Sequence, residues 1–140
     1  CSRSRAMRSC ATALIRMTKA AMEKHPQSAM HSIAAENGGV DGRTAFLAQQ
    51  QGDAAGSAVV AEYVHYLSIG VANIVNVFFP EVVAVSGGVS NQGENLLAPL
   101  RQAVSQQEYG AAYTTRHPRI LRCILGNDAG VIGAALFAEE

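Results

Sequence analysis

The stretch VVAVSGGVSNQGENLL, Val82 to Leu97, decides how this chain folds. Four consecutive apolar residues, Val82 to Val85, read as a strand buried on both faces, the habit of parallel-sheet strands. Gly87 and Gly88 break it. Asn91 with Glu94 three positions on has the spacing of a capping box, opening a helix whose inward face is Leu96, Leu97, Leu100 and Val104. A strand that delivers two glycines to a helix start presents free backbone N–H groups and a surface without side chains, where open parallel sheets bind ligands. The stretch carries neither G-x-G-x-x-G nor a P-loop lysine, so unaided it reads as a tight strand-to-helix turn before it reads as a nucleotide site. Glu94 adds a constraint. A carboxylate in the first helical turn repels phosphate, so a nucleotide here would offer its base or ribose to the turn.

Upstream of the strand, Pro80 halts a long helix expected from Ala54 to Phe79, in which Val60, Val64, Leu67, Val71, Ile74 and Phe78 recur at steps of four and three as a core stripe. Shorter helices are expected over Ala11 to Lys24, around Ser28 to Glu36 and from Arg43 to Gln50, separated by His25-Pro26, Gly38-Gly39 and Asp41-Gly42. Downstream, Arg119 to Leu125 reads as a second strand, parallel to the first across a helical crossover. The final segment reads as a helix rich in Ala and Gly, capped by Asn127 or Asp128. The fold class is α/β, helix-rich, with a small parallel sheet.

At 140 residues the chain fits one ordinary domain. Eleven basic residues balance eleven acidic ones, which gives no electrostatic reason to seek nucleic acid or an anionic membrane. The apolar run from Leu67 to Phe79 reads as too short, and too interrupted by Asn73 and Asn76, to span a bilayer. Three cysteines, Cys1, Cys10 and Cys123, lack the pattern of a disulfide framework and suit a reducing compartment, so a cytoplasmic location is expected.

Little else carries chemistry by pattern. Asn127-Asp128 follows a strand, yet capping explains it more cheaply than catalysis does. His25, His31, His65 and His117 form no metal pattern with the cysteines, and no C-x-x-C occurs. Each histidine is read as a surface or locally hydrogen-bonded residue. Neither catalytic nor metal-ligating residues are assigned.

Taken together, DGRTAFLAQQQGDAAG, YLSIGVANIVNVFFPEVVAVSGGVSNQGENLL and RILRCILGNDAGVIGAALFAEE resemble the C-terminal part of the ROK family of sugar kinases and repressors, over about Ala11 to Glu140. The resemblance implies part of an actin-like, ribonuclease H-like ATPase lobe. It implies ATP-dependent phosphorylation of a hexose hydroxyl in the complete protein, with ATP and Mg2+ as cofactors. Gly87, Gly88 and Val89 match the family's stretch near the adenosine, with Ser86 where a third glycine is usual. The family's phosphate-binding D-x-G-G-T stretch and catalytic aspartate lie in its earlier half, and neither occurs in this sequence; Asp128 is not that aspartate. The family's zinc loop, C-x-C-G-x-x-G-C-x-E, should precede the first helix. CSRSRAMRSC stands there instead, with Ala6 and Ser4 near the places of the sugar-contacting glutamate and the last cysteine. Residues 1–10 therefore read as an altered or frayed segment and 11–140 as the lobe.

Three functions follow as expectations. The first is a glucokinase-like fragment that keeps part of the nucleotide site, forms homo-oligomer contacts and cannot transfer phosphate alone. The second is the sensing and oligomerisation part of a ROK-type repressor, which would need a helix-turn-helix upstream. The third is a non-catalytic helical interaction module.

Overall fold

The structure of the protein is a computed structural model, described for residues 11–109 and 116–123. Its elements run α1 (Ala11–Lys24), α2 (Met30–Glu36), α3 (Thr44–Gln50), α4 (Ala54–Phe78), β1 (Val82–Val85), a 3-10 turn (Gly88–Gln92), α5 (Glu94–Ser105) and β2 (Arg119–Arg122). The expected terminal helix, with Asn127 and Asp128, and the segment 1–10 lie outside the described residues, as do the last two positions expected of the second strand.

Local chemistry sets the ends of these helices. After α1, His25-Pro26 turns the chain, and the His31 ring places Nε2 3.1 Å from the Met22 carbonyl and 3.2 Å from that of His25. Carbonyls only accept, so Nε2 carries the hydrogen and satisfies the end of α1. Asp53, in extended conformation, caps α4 by accepting from Gly56 N at 2.6 Å. The same carboxylate accepts from Ser28 Oγ at 3.1 Å and Ala29 N at 2.9 Å, so it also fixes the entry to α2.

The long helix α4 organises everything else. Its N-terminal half joins a cluster with Leu14 of α1, Met30 and Ile33 of α2, and Ala45, Phe46 and Ala48 of α3. Its C-terminal half supplies Val71, Ala72 and Val75 to a second cluster with Leu97, Leu100 and Val104 of α5 and Ile120 of β2. Leu67 packs against both. Each fully buried Leu or Val contributes about 1.5–3 kcal/mol. The expected stripe holds through Val60, Val64, Leu67 and Val71 and then fails, because Ile74 and Phe78 are exposed while Val75 is buried. There α5 crosses the helix and covers the face bearing Ser68, Val71, Ala72 and Val75 instead. At 25 residues α4 as a whole is long and apolar enough to cross a membrane by length and composition, a test that a buried core helix also passes. Here that apolarity is spent on two intramolecular clusters.

Strands β1 and β2 pair in parallel, with Val82 opposite Arg119 and Val85 opposite Arg122. The expected burial of β1 on both faces is incorrect: Val83 and Val85 pack on the second cluster, whereas Val82 and Ala84 are exposed. Among the described residues one helical layer, α4 with α5, covers one side of the pair, and burial alternates with the pleat. Arg101 of α5 donates from Nε to the Ile120 carbonyl at 2.8 Å and thereby satisfies a backbone acceptor of β2.

Candidate functional site at the glycine turn

The carboxyl end of β1 leads through Ser86 into Gly87, whose backbone sits at φ 94° and ψ 171°, a conformation that L side chains rarely adopt. Gly88 follows with an ordinary φ, and a Cβ built on either glycine would meet nothing within 4 Å. Both glycines therefore line open space. Val89 behaves differently: it is buried within the first core cluster and anchors the turn, so it presents no side chain to a ligand. The expected trio thus divides into two open glycines and one buried foot.

The turn is tightly held from behind. Ser90 N and Oγ both bond the Gly87 carbonyl, at 3.0 and 2.7 Å. The expected capping box is not formed, because a 3-10 turn intervenes and Gly93, with positive φ, occupies the N-cap of α5. Asn91 instead accepts through Oδ1 from Arg122 Nη2 of β2 at 2.7 Å. Glu94, in the first turn of α5, pairs with Arg101 Nη1 at 2.7 Å, so the carboxylate that should repel a phosphate is partly compensated.

A second loop reaches the turn from a distant part of the chain. Gly42 lies against Val89, where a Cβ on Gly42 would sit 3.7 Å from Val89 Cγ2. Around it Asp41 accepts from Thr44 N at 3.1 Å and Arg43 N at 2.8 Å, and pairs with the Arg43 guanidinium at 2.8 Å. Burial pulls the Asp41 carboxyl upward, but these hydrogen bonds and the Arg43 charge outweigh it and leave the pKa below its ordinary value. Asp53 is likewise raised by burial and lowered further by its hydrogen bonds from Gly56, Ala29 and Ser28. Both acids are engaged as caps, and a lowered pKa with oxygens already taken by hydrogen bonds makes them weaker proton acceptors than an ordinary carboxylate. Sequence reasoning took Asp41-Gly42 for turn chemistry alone, and no local signal tells that this loop meets Val89.

A Cβ on Gly87 or Gly88 would project into open space, so the turn offers bare backbone on its outer side. Among the described residues no group of three or more His, Cys, Asp or Glu side chains could hold a metal ion, whereas magnesium carried on nucleotide phosphates needs only one or two carboxylates.

Known proteins resemble this chain in sequence and in fold. The chain is 31% identical over 130 residues to a glucokinase from Thermotoga maritima, covering 93% of the chain and 40% of that protein. A shorter match, 33% over 66 residues, relates 47% of the chain to 16% of a xylose repressor from Caldicellulosiruptor bescii. The structure superposes with a TM-score of 0.77 and 29% identity on a ROK family glucokinase from Streptomyces griseus crystallised with glucose and AMPPNP, covering 90% of this chain and 41% of that one. The chain spans about 40% of the length of the glucokinases it matches. Its helix-rich α/β architecture with a small parallel sheet is that of the sugar kinases with the actin-like ATPase fold. The ROK family profile matches residues 9–140, and the chain belongs to that family.

Proposed function

We propose that this chain is the C-terminal lobe, residues 11–140, of a glucokinase-like enzyme that phosphorylates a hexose with ATP, and that it contributes the adenosine side of the nucleotide site. The observation that carries this reading is the pair of open glycines at the carboxyl end of β1, in a fold matched by a glucokinase that binds glucose and AMPPNP. Gly87 and Gly88 let the nucleotide approach the backbone, and Val89 fixes the turn to the core. ATP with magnesium supplies the phosphoryl group in the complete enzyme. In this reading the lobe does not transfer phosphate by itself: it spans about 40% of the length of the glucokinases it matches, and Asp41 and Asp53 are committed to capping hydrogen bonds. Exposed apolar side chains at the end of α4 and the start of β1, Val77, Phe78 and Val82 among them, support self-association, and the unpaired Cys123 accords with a cytoplasmic setting.

Gly88 gives the clean test. Gly87 has a positive φ, so any side chain there strains the backbone, whereas Gly88 has an ordinary φ and free space, so Gly88→Leu should fold normally. Titration calorimetry with ATP should give a binding isotherm that Gly88→Leu abolishes while its melting temperature stays unchanged. ATP binding unaffected by this substitution would place the nucleotide elsewhere. Addition of ATP, magnesium and glucose to the chain should give no turnover, and robust turnover would overturn the assignment of incompetence.

The repressor match supports a second reading, in which the lobe senses sugar and oligomerises. A helix-turn-helix encoded directly ahead of Cys1 would decide for it.

A further inference from the structure

A second site stands at the opposite ends of the strands. Ahead of β1 and β2 lies a cavity of about 470 Å3, bordered by Phe79, Glu81, Glu108, Arg116, His117 and Arg119. That volume is in the range of small-molecule pockets. Because Gly87 follows β1 and Glu81 precedes it, the length of the strand separates this cavity from the glycine turn.

Two features of its wall need a cause. Phe79 has φ 47° and ψ 48°, the left-handed region that a bulky residue seldom adopts, and it precedes Pro80, which disfavours helical backbone at the preceding position. The ring gains no burial in exchange, since Phe79 is 65% exposed. The left-handed turn ends α4, with Phe79 N donating to the Val75 carbonyl at 2.9 Å, and it leaves a large apolar ring open beside the cavity, where a ligand can take the contact. The second feature is the charge pattern. Glu81 pairs with Arg116 at 3.1 Å, and the Glu108 side chain, only 5% exposed, accepts from His117 Nδ1 at 3.1 Å. Each carboxylate lining the cavity is therefore matched by a basic neighbour. The Arg119 guanidinium makes no hydrogen bond or ion pair among the described residues, although its backbone N–H is fixed to the Glu81 carbonyl at 2.9 Å. An arginine whose guanidinium has no partner among the described residues, beside an exposed aromatic ring, matches an anion with an apolar body.

We propose that this cavity binds a small organic anion, a carboxylate or phosphate carried on a ring or short apolar chain, with the head group on Arg119 and the body against Phe79. Neither the glycine turn nor the kinase reading enters the argument. As an effector site, the cavity would act through Val75 at the end of α4, which lines it and is buried in the second core cluster.

The test is a titration of the whole chain, followed by amide NMR shifts, with phenyl phosphate, benzoate, inorganic phosphate and benzyl alcohol as probes. Phenyl phosphate or benzoate should saturate, with shifts centred on Phe79, Glu81 and Arg119, and the tighter of the two names the head group. Arg119→Gln should weaken binding about tenfold, the value of one charged hydrogen bond. Phe79→Gly should weaken it while raising the melting temperature, because glycine relieves the backbone; a residue kept for stability alone would not move the two in opposite directions. The proposal is overturned if neither aromatic anion saturates in the millimolar range, if inorganic phosphate or benzyl alcohol binds equally well, if the shifts centre on Gly87 and Gly88, or if Phe79→Gly leaves affinity unchanged.

Discussion

Asp53 joins two separate pieces of chain through one carboxylate. It caps α4 at Gly56, holds Ser28 and receives Ala29 N, and these hydrogen bonds keep its pKa below the ordinary 3.8 despite burial. A folded-state pKa below the unfolded one means that the stabilisation is complete above the ordinary value and is lost as pH falls through the lowered one. Asp53→Ala should cost about 1–2 kcal/mol at pH 7, the usual value of a helix cap. Below about pH 4 the wild type should lose part of that advantage, so the two urea midpoints should converge. Curves that stay parallel on acidification would show that the carboxylate is not what matters. An aspartate directly before the helix start is a cap legible in the sequence, but its bonds to Ser28 and Ala29 belong to tertiary structure and leave no local mark. Gly56 makes the same point about glycine. A Cβ there would meet Ala48 Cβ at 2.7 Å and the Ala45 carbonyl at 3.0 Å, so α3 and α4 touch through this residue. Gly56→Ala should destabilise by about 1–3 kcal/mol, against the small gain alanine brings to an uncrowded helix. Unchanged thermal stability would mean that the two helices separate at little cost.

At the scale of elements, the two asparagines in α4 show which signals mislead. Asn73 and Asn76 look like interruptions of an apolar run, yet Asn76 does specific work: its Nδ2 donates to the Gln107 carbonyl at 3.0 Å and its Oδ1 accepts from Tyr109 N at 2.8 Å. One side-chain amide thus satisfies both polarities of the backbone that leaves α5. Gln107 adds a bond from Nε2 to Ser68 Oγ at 2.8 Å, which ties the same segment one further place along α4. Asn76→Leu should cost about 1–2 kcal/mol despite its better match to the helix's hydropathy, because the partly buried Gln107 carbonyl and the exposed Tyr109 N–H lose their partner. Hydrogen exchange at Tyr109 N–H should accelerate in this variant, and unchanged exchange there would refute the clamp. Periodicity and breakers made α1, α3, α4 and β1 legible to within a residue or two. The capping box failed because Asn91 had a competing partner in Arg122, thirty-one positions away, which no spacing rule contains. The two-sided burial of β1 failed for a related reason: hydrophobic runs report that a strand is apolar, and the number of layers over it depends on which helices arrive.

For the molecule as a whole, the decisive arrangement is two apolar clusters threaded on one helix, with the glycine turn crossing between them. Val85, just before the turn, packs on the second cluster, while Val89, just after it, belongs to the first. Among the described hydrophobic side chains, Leu67 is the one packed against both, and it is only half-buried. Removing it should therefore damage the connection more than either core. Leu67→Ala should cost about 2 kcal/mol, the low end for a leucine truncation because the site is not sealed. The more specific consequence concerns cooperativity. With the bridge weakened, urea unfolding should broaden to a smaller m-value as one cluster opens ahead of the other, whereas Leu14→Ala or Leu100→Ala, each inside one cluster, should lower the midpoint with the slope preserved. A ligand on the glycine turn touches the connection between Val85 and Val89, so saturating ATP should restore the slope of Leu67→Ala more than it restores that of the wild type. A single sharp transition for Leu67→Ala without nucleotide would show that the turn and the helix backbone already couple the clusters, and that the side chain at position 67 only fills space.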